Sequence, residues 1–325
     1  MVRSASAFSL VLLAAAPSSA GRRLLYLEAQ AVSGYSSSRD RAVFYSRGQR
    51  EPMQKPSAGF DLVQKLWSER GDLGALAVQG RLALNTHGTR AVEPQLYNAY
   101  LKLKTRPADV WAGHNRPALG LSSVLDSHGL LLQPLNMEGF GFDRDWGAGA
   151  RRQSDWGDAA CSLTSGSGMP LRLKGNWLAS ARISKGELMR ENHSVGLSVA
   201  HGRTLDTMGY HLMREDAMPF TLGGADASFL WDAYEGRFEV LGGQRMGEKA
   251  YAMLWRAGVD LGEERRWKAE AQPSLQRLGH ETLHSVSSGL SFLLSPDVTL
   301  RGLYEYRNVG HEHRVIGQMY YYLKV

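Results

Sequence analysis

The residue types that most often carry chemistry occur in this chain without the spacing that chemistry needs. Ten histidines stand among 325 residues, and two pairs are close enough to share a metal ion. His311 and His313 flank Glu312, while His280 and His284 bracket Glu281. A structural or catalytic zinc takes at least three protein ligands, and neither pair has a third nearby, so no metal is expected. The chain has no G-x-S-x-G elbow and no G-x-x-x-x-G-K-[ST] loop, and His280-Glu281-Thr282-Leu283-His284, which spells H-E-x-x-H, falls where a loop enters a strand and not on the helix that motif needs, which leaves hydrolase, metalloprotease and nucleotide chemistry without their parts. Gly166-Ser167-Gly168 reads as a hairpin loop with no helix behind it to hold phosphate. Cys161 is the single cysteine, which excludes a disulfide framework, a cysteine-rich zinc site and a haem attachment. Neither an enzyme nor a cofactor is expected.

The remaining chemistry is electrostatic. On the strand phases derived below, Arg81, Lys102, Lys104, Arg182, Asp226, Asp232, Arg301, Glu305 and Arg307 fall on the charged side of alternating segments. Arg116, Asp126, His128, Glu138, Asp143 and Arg144 lie in or just after one long connection, 116–142. Fixed charges of both signs around a narrow wet passage orient hydrated solutes without binding them tightly.

The elements that would place these charges are strands. In VIGQMYYYLKV, residues Val315, Gly317, Met319, Tyr321, Leu323 and Val325 form one face, and Ile316, Gln318, Tyr320, Tyr322 and Lys324 the other. A period of two puts each set on its own side of a strand. The same alternation recurs at 24–32, 75–84, 96–104, 176–184, 193–201, 225–234, 250–261, 286–294 and 298–308. Weaker strands read at 59–67, 109–115, 143–152, 156–163, 236–243 and 266–272. The total is about sixteen, with fourteen to eighteen inside the boundary error, and no helical stripe of comparable length competes.

Composition taken alone looks soluble, with 43% hydrophobic residues and a mean hydropathy of −0.31. No apolar run of about 18 residues follows the N-terminus, which excludes a helical membrane protein. A membrane β-barrel averages to the same hydropathy, because apolar and polar faces alternate. The net charge of +6 is too mild to point to nucleic acid. Residues 1–20 run from Arg3 through an apolar stretch to Ser18-Ser19-Ala20, the order of a cleaved secretory signal, which leaves 21–325 as one domain.

The connections test the barrel independently. Tight turns are expected at 70–72, 105–107, 153–155, 185–192, 235–236, 262–264 and 295–297, and all but 185–192 are short and rich in Gly, Pro, Asp or Ser. Between them lie the longer connections 33–58, 85–94, 116–142, 202–224 and 273–281, a short-long rhythm that suits an up-and-down antiparallel barrel. Aromatics near strand ends on the apolar face, among them Tyr97, Trp177, Tyr251, Trp267, Tyr304, Tyr306 and Tyr321, suit interfacial girdles. A soluble exported β-sandwich is the alternative all-β reading, and it would point its aromatics into a core instead.

The final strand, ending in alternate apolar and aromatic residues, resembles the C-terminal signature of Gram-negative outer-membrane proteins, although Val325 stands where that signature has an aromatic. The segments NAYLKLKTRPADVWAGHNRPALGLSSVLDSHGLLLQPL (98–135) and FDRDWGAGARRQSDWGDAACSLTSGSG (142–168) resemble the strand, long loop and strand-pair region of the outer-membrane porins. They look nearest to the phosphate-selective porin O and P relatives, but the lysine and arginine positions of those relatives have no match here. The resemblance implies a sixteen-stranded barrel in the outer membrane, often a homotrimer, whose third loop, here 116–142, folds inward and narrows the lumen. It implies passive diffusion of small hydrophilic solutes. Inward charges that nearly cancel predict weak selectivity, leaning toward anions. A non-conducting barrel that ensheaths an electron-transfer partner or displays surface loops is the other expectation.

Overall fold

The structure is a computed structural model that describes residues 23–38, 41–44, 55–69, 71–84, 92–126 and 129–325. The expected export signal at 1–20 and His128 lie outside the described residues.

Strand β1 (Arg23–Ser36) begins the sheet, and the short β2 (Arg41–Phe44) pairs with its far end. Then come β3 (Ser57–Ser68), β4 (Gly71–Leu84), β5 (Val92–Lys104) and β6 (Asp109–Asn115). After a long connection follow β7 (Asp145–Ser154), β8 (Gly157–Thr164), β9 (Trp177–Lys185) and β10 (His193–Met208). Next run β11 (His211–Trp231), β12 (Tyr234–Arg245), β13 (Glu248–Leu261) and β14 (Trp267–Leu278). The chain finishes with β15 (Glu281–Ser295), β16 (Val298–Arg307) and β17 (Glu312–Lys324). From β3 onward each strand pairs antiparallel with the next, and β1 closes the ring by pairing with both β3 and β17. With β2 set aside as a rim extension, the barrel has sixteen strands. Closure pairs the first strand with the last, so the ring has no open sheet edge among the described strands.

Alternation sets the two surfaces. On β17, Val315 and Met319 face outward while Ile316, Gln318 and Tyr320 are buried inside. Trp67, Trp156, Trp231, Tyr234 and Trp267 stand exposed at the tight-turn rim, and Tyr35, Trp177, Tyr251 and Tyr304 at the opposite rim. They form two belts of exposed aromatic rings, one near each rim of the barrel.

Four expectations are corrected. The connections over 202–224 and 273–281 are not long loops: β10 and β11 run on to Met208 and His211, and β14 and β15 to Leu278 and Glu281. Toward this rim the outer face turns polar, as at Arg203 and Glu215, so hydrophobic alternation fades while the backbone ladder continues. The turn expected at 235–236 lies at Asp232–Ala233, because Trp231 and Tyr234 pair directly across it. Asp232 is therefore a turn residue at the rim, with φ of 53°, and not a wall residue facing the lumen. Asp is one of the few residues that tolerate this left-handed conformation, which tight hairpins require. Its carboxylate meets Arg265 of the adjacent turn at 2.5 Å.

Tyr97 is the fourth. It was expected on the outer face, but Gln79 pairs with Asn98 while Gly80 pairs with Leu96, so Tyr97 is the extra residue of a bulge and turns inward. A bulge shifts the phase of one residue without marking the sequence.

Candidate functional site at the lumen constriction

The barrel interior is crossed by loop 3, residues 116–144. Its first part runs along the inner wall, where the Ala118 N–H donates to Ser162 and Ser180 Oγ, each at 3.1 Å, and the Gly120 N–H to Ser198 Oγ at 3.1 Å. The Leu121 N–H donates to Glu239 Oε1 at 2.8 Å, opening a 3₁₀ turn over Leu121–Ser123. Leu119, Leu121, Leu135 and Phe140 of the loop pack with inward Leu178, Ala200, Phe220, Leu222, Leu241, Ala250, Ala252 and Leu254. Each of the buried leucines and phenylalanines of the loop contributes roughly 1.5–3 kcal/mol to docking. On the opposite wall, Leu131 and Leu132 pack with Val32, Leu303 and Ile316. Between the two clusters, Arg256 donates to the Leu132 carbonyl at 3.0 Å and Gln272 to the Gln133 carbonyl at 2.9 Å. Loop 3 is therefore inside the lumen and anchored on both sides of it.

The loop's charged residues gather at one place. Arg116 and Arg144 converge on Asp126 at 2.8 and 3.7 Å, and Arg144 also meets Asp143 at 3.2 Å. Tyr97 donates to Asp143 at 2.5 Å, and its ring carries the Arg144 guanidinium 4.2 Å from the centroid. Burial presses the Arg144 pKa down, but Asp143, Tyr97 and Asp126 outweigh it and hold the group above its ordinary value. From Arg144 a chain of side chains crosses to the wall. Arg144 donates to Asn98 at 2.7 Å, Asn98 to Gln79 at 2.7 Å, and Gln79 to Glu28 at 3.1 Å. Arg81 meets Glu28 at 3.3 Å and donates to Gln95 at 3.0 Å. Charges of both signs from β1, β4 and loop 3, joined through the uncharged Gln95, Tyr97 and Asn98 of β5, thus form a continuous polar network inside the barrel.

The other expected residues sit elsewhere. Arg182 and Asp226 form a buried two-pronged pair at 2.6 and 2.9 Å. Glu305, Arg307 and Glu138 lie in one cluster, with Arg307 at 3.0 Å from each carboxylate and Arg314 against Glu305. Lys102 and Lys104 stand toward the tight-turn rim, paired with Asp109 at 2.8 Å and Asp72 at 2.9 Å. Arg301 donates to Gln318 at 2.9 Å and sits over the Tyr320 ring at 5.2 Å. Sequence reasoning missed Tyr97, which the bulge hides, and left Glu28 and Arg256 out of the short set although alternation places both inward. On the tight-turn side of loop 3, cavities of about 350 and 380 Å³ share Arg116, Ser123 and Arg151 in their linings. His311 and His313 accept or donate hydrogen bonds with Tyr306 and Tyr304 at 3.2 and 2.8 Å, and no group of metal-binding residues occurs among the described residues.

A closed sixteen-stranded barrel with its third loop folded into a charged lumen defines the porin class of architecture. Comparison with solved structures bears this out. The chain is similar to OmpF of Salmonella typhi in complex with daunomycin, with a TM-score of 0.67, 10% identity and coverage of 93% of this chain and 98% of that one. It is similar to an anion-selective porin from Comamonas acidovorans, with a TM-score of 0.62, 11% identity and coverage of 93% and 100%. It also matches the trimer form of OmpT, an outer membrane protein of Vibrio cholerae, at a TM-score of 0.60, 12% identity and coverage of 93% and 99%. No family model and no curated protein matches the sequence. The chain has the porin fold.

Proposed function

We propose that this chain is an outer-membrane diffusion porin that passes small hydrophilic solutes and ions, with a weak preference for anions. The observation that carries the reading is loop 3 anchored inside the barrel beside a network of opposed charges, the arrangement of a permanent constriction. Most lumen charges cancel in pairs, as at Arg81–Glu28, Arg182–Asp226 and Arg307–Glu305. Asp145 and Glu239 have no ion pair among the described residues and are held by backbone N–H groups instead, whereas two guanidiniums are not neutralised. Among the described residues Arg256 meets only Gln272 and the Leu132 carbonyl, and Arg301 only Gln318 and the Tyr320 ring. Their uncompensated charge is the source of the anion preference. The similarity to a porin named as anion-selective agrees with it.

On this reading the chain is exported by its 1–20 signal, acts without catalysis, and assembles as a homotrimer, as the trimer form of OmpT does. Loop 3 fills the space that a second folded protein would need, which counts against a sheath for an electron-transfer partner. The test is planar-bilayer recording of the purified protein. Stepwise openings of uniform size with a small anion-directed reversal potential are expected, and a folded barrel that never conducts would overturn the reading.

A further inference from the structure

Asp145 falls on the inward phase of β7 beside Arg144, yet its carboxylate is fully buried and makes no ion pair among the described residues. It is surrounded by donors instead. The Trp146 N–H reaches it at 2.9 Å, Ser165 Oγ at 2.7 Å, and the Gly166, Ser167 and Gly168 N–H groups at 2.6, 3.3 and 3.1 Å. Gly166 and Gly168 take φ of 69° and 71°, which lets successive N–H groups converge on one anion. This turn belongs to the next connection, residues 165–176.

From the turn, contacts lead back to the constriction. The Leu205 N–H donates to the Gly166 carbonyl at 2.9 Å and Thr207 to the Ser167 carbonyl at 3.0 Å, which fixes the turn to β10. A Cβ on Gly168 would come within 2.9 Å of Phe142 in loop 3. Trp146 donates to the Met169 carbonyl at 3.0 Å, and the Met169 side chain packs on Tyr97. Tyr97 is the residue that holds both Asp143 and the Arg144 guanidinium.

We propose that Asp145 is a positioning residue for the constriction: by gathering the 165–168 turn it locks Met169 behind Tyr97 and so fixes where Arg144 points into the lumen. The proposal rests on the porin reading and deepens it. It makes a prediction of sign. If Asp145 were simply a lumen charge, removing it would shift selectivity toward anions. If it positions Arg144, removing it lets the guanidinium withdraw from Asp143 and Asp126, leaves those carboxylates uncompensated beside the passage and shifts selectivity toward cations.

The experiment records reversal potentials of the full-length protein in a KCl gradient for the wild type, Asp145→Ala, Asp145→Asn, Arg144→Gln and the Arg144→Gln/Asp145→Ala double variant. Folding is checked by heat-dependent migration on gels. Asp145→Ala is expected to shift in the cation direction, as Arg144→Gln does, and to add nothing in the double variant. Asp145→Asn, which keeps one acceptor oxygen, is expected to shift less, and it decides the matter by the same sign if the alanine variant does not fold. A shift toward anions, no shift, or full additivity would overturn the proposal. Amide exchange gives a second readout that needs no conductance: protection lost at 165–168 is expected to spread to 137–144, and loss confined to 165–168 counts against coupling. A silent wild-type channel would thus defeat the porin reading while exchange still judges Asp145.

Discussion

Arg301 offers the sharpest quantitative test of how this lumen selects ions. Its neighbours are an amide and an aromatic ring, so Arg301→Gln removes a positive charge without leaving a carboxylate unpaired. A monovalent ion passing about 6 Å away in a wet lumen interacts with that charge by ~0.7 kcal/mol, and screening at about 0.1 M salt leaves roughly half. That remainder enriches an anion roughly twofold and depletes a cation by a similar factor, so the chloride-to-potassium permeability ratio should fall about fourfold in the variant. The assay is the reversal potential across a planar bilayer under a salt gradient, repeated at higher salt, where the difference should shrink. An unchanged ratio at low salt, or a ratio that rises, would show that Arg301 does not act on the permeating ion and that the uncompensated-charge argument is wrong.

Three further outcomes follow from the packing. Arg182→Ala should destabilise the barrel by about 3 kcal/mol, because it strands the buried Asp226 carboxylate, and Arg182→Ala/Asp226→Ala should recover part of the loss; urea titration in detergent reads both. Phe140→Ala removes a buried ring that ties loop 3 to β11–β13 and costs about 3 kcal/mol of docking, so single-channel current should become noisier with the barrel itself intact. Cys161 lies exposed on the outer face between Ala150 and Ala181, so in bilayers it should react with an apolar maleimide and resist a charged one; equal reaction with both would place it in water.

Much of the fold is legible in the sequence because a barrel wall with an apolar outer face and a polar inner face enforces a period of two along its strands. On β17 it separates Val315 and Met319 from Gln318 and Tyr320 without error. Where the outer face turns polar near the rim that constraint lapses, and the extended hairpins β10–β11 and β14–β15 look like loops. The turn at Asp232 was misplaced for a related reason: alternation runs on through a two-residue hairpin, and nothing local marks where the chain reverses.

The constriction was legible only in part. Residue type and chain position nominated Arg116, Asp126, Asp143 and Arg144 as a loop cluster, because a long connection carrying both signs is conspicuous between short turns. Which wall they face, and that Tyr97 joins them, depended on a bulge and on packing between residues far apart in sequence, such as Leu121 with Glu239 and Leu132 with Ile316. The sequence by itself determined a closed antiparallel barrel with a charged interior, since one-dimensional alternation is enough to specify two surfaces. Only the tertiary structure decided which of those charges remain uncompensated, because pairing depends on distances across the lumen that no local pattern encodes.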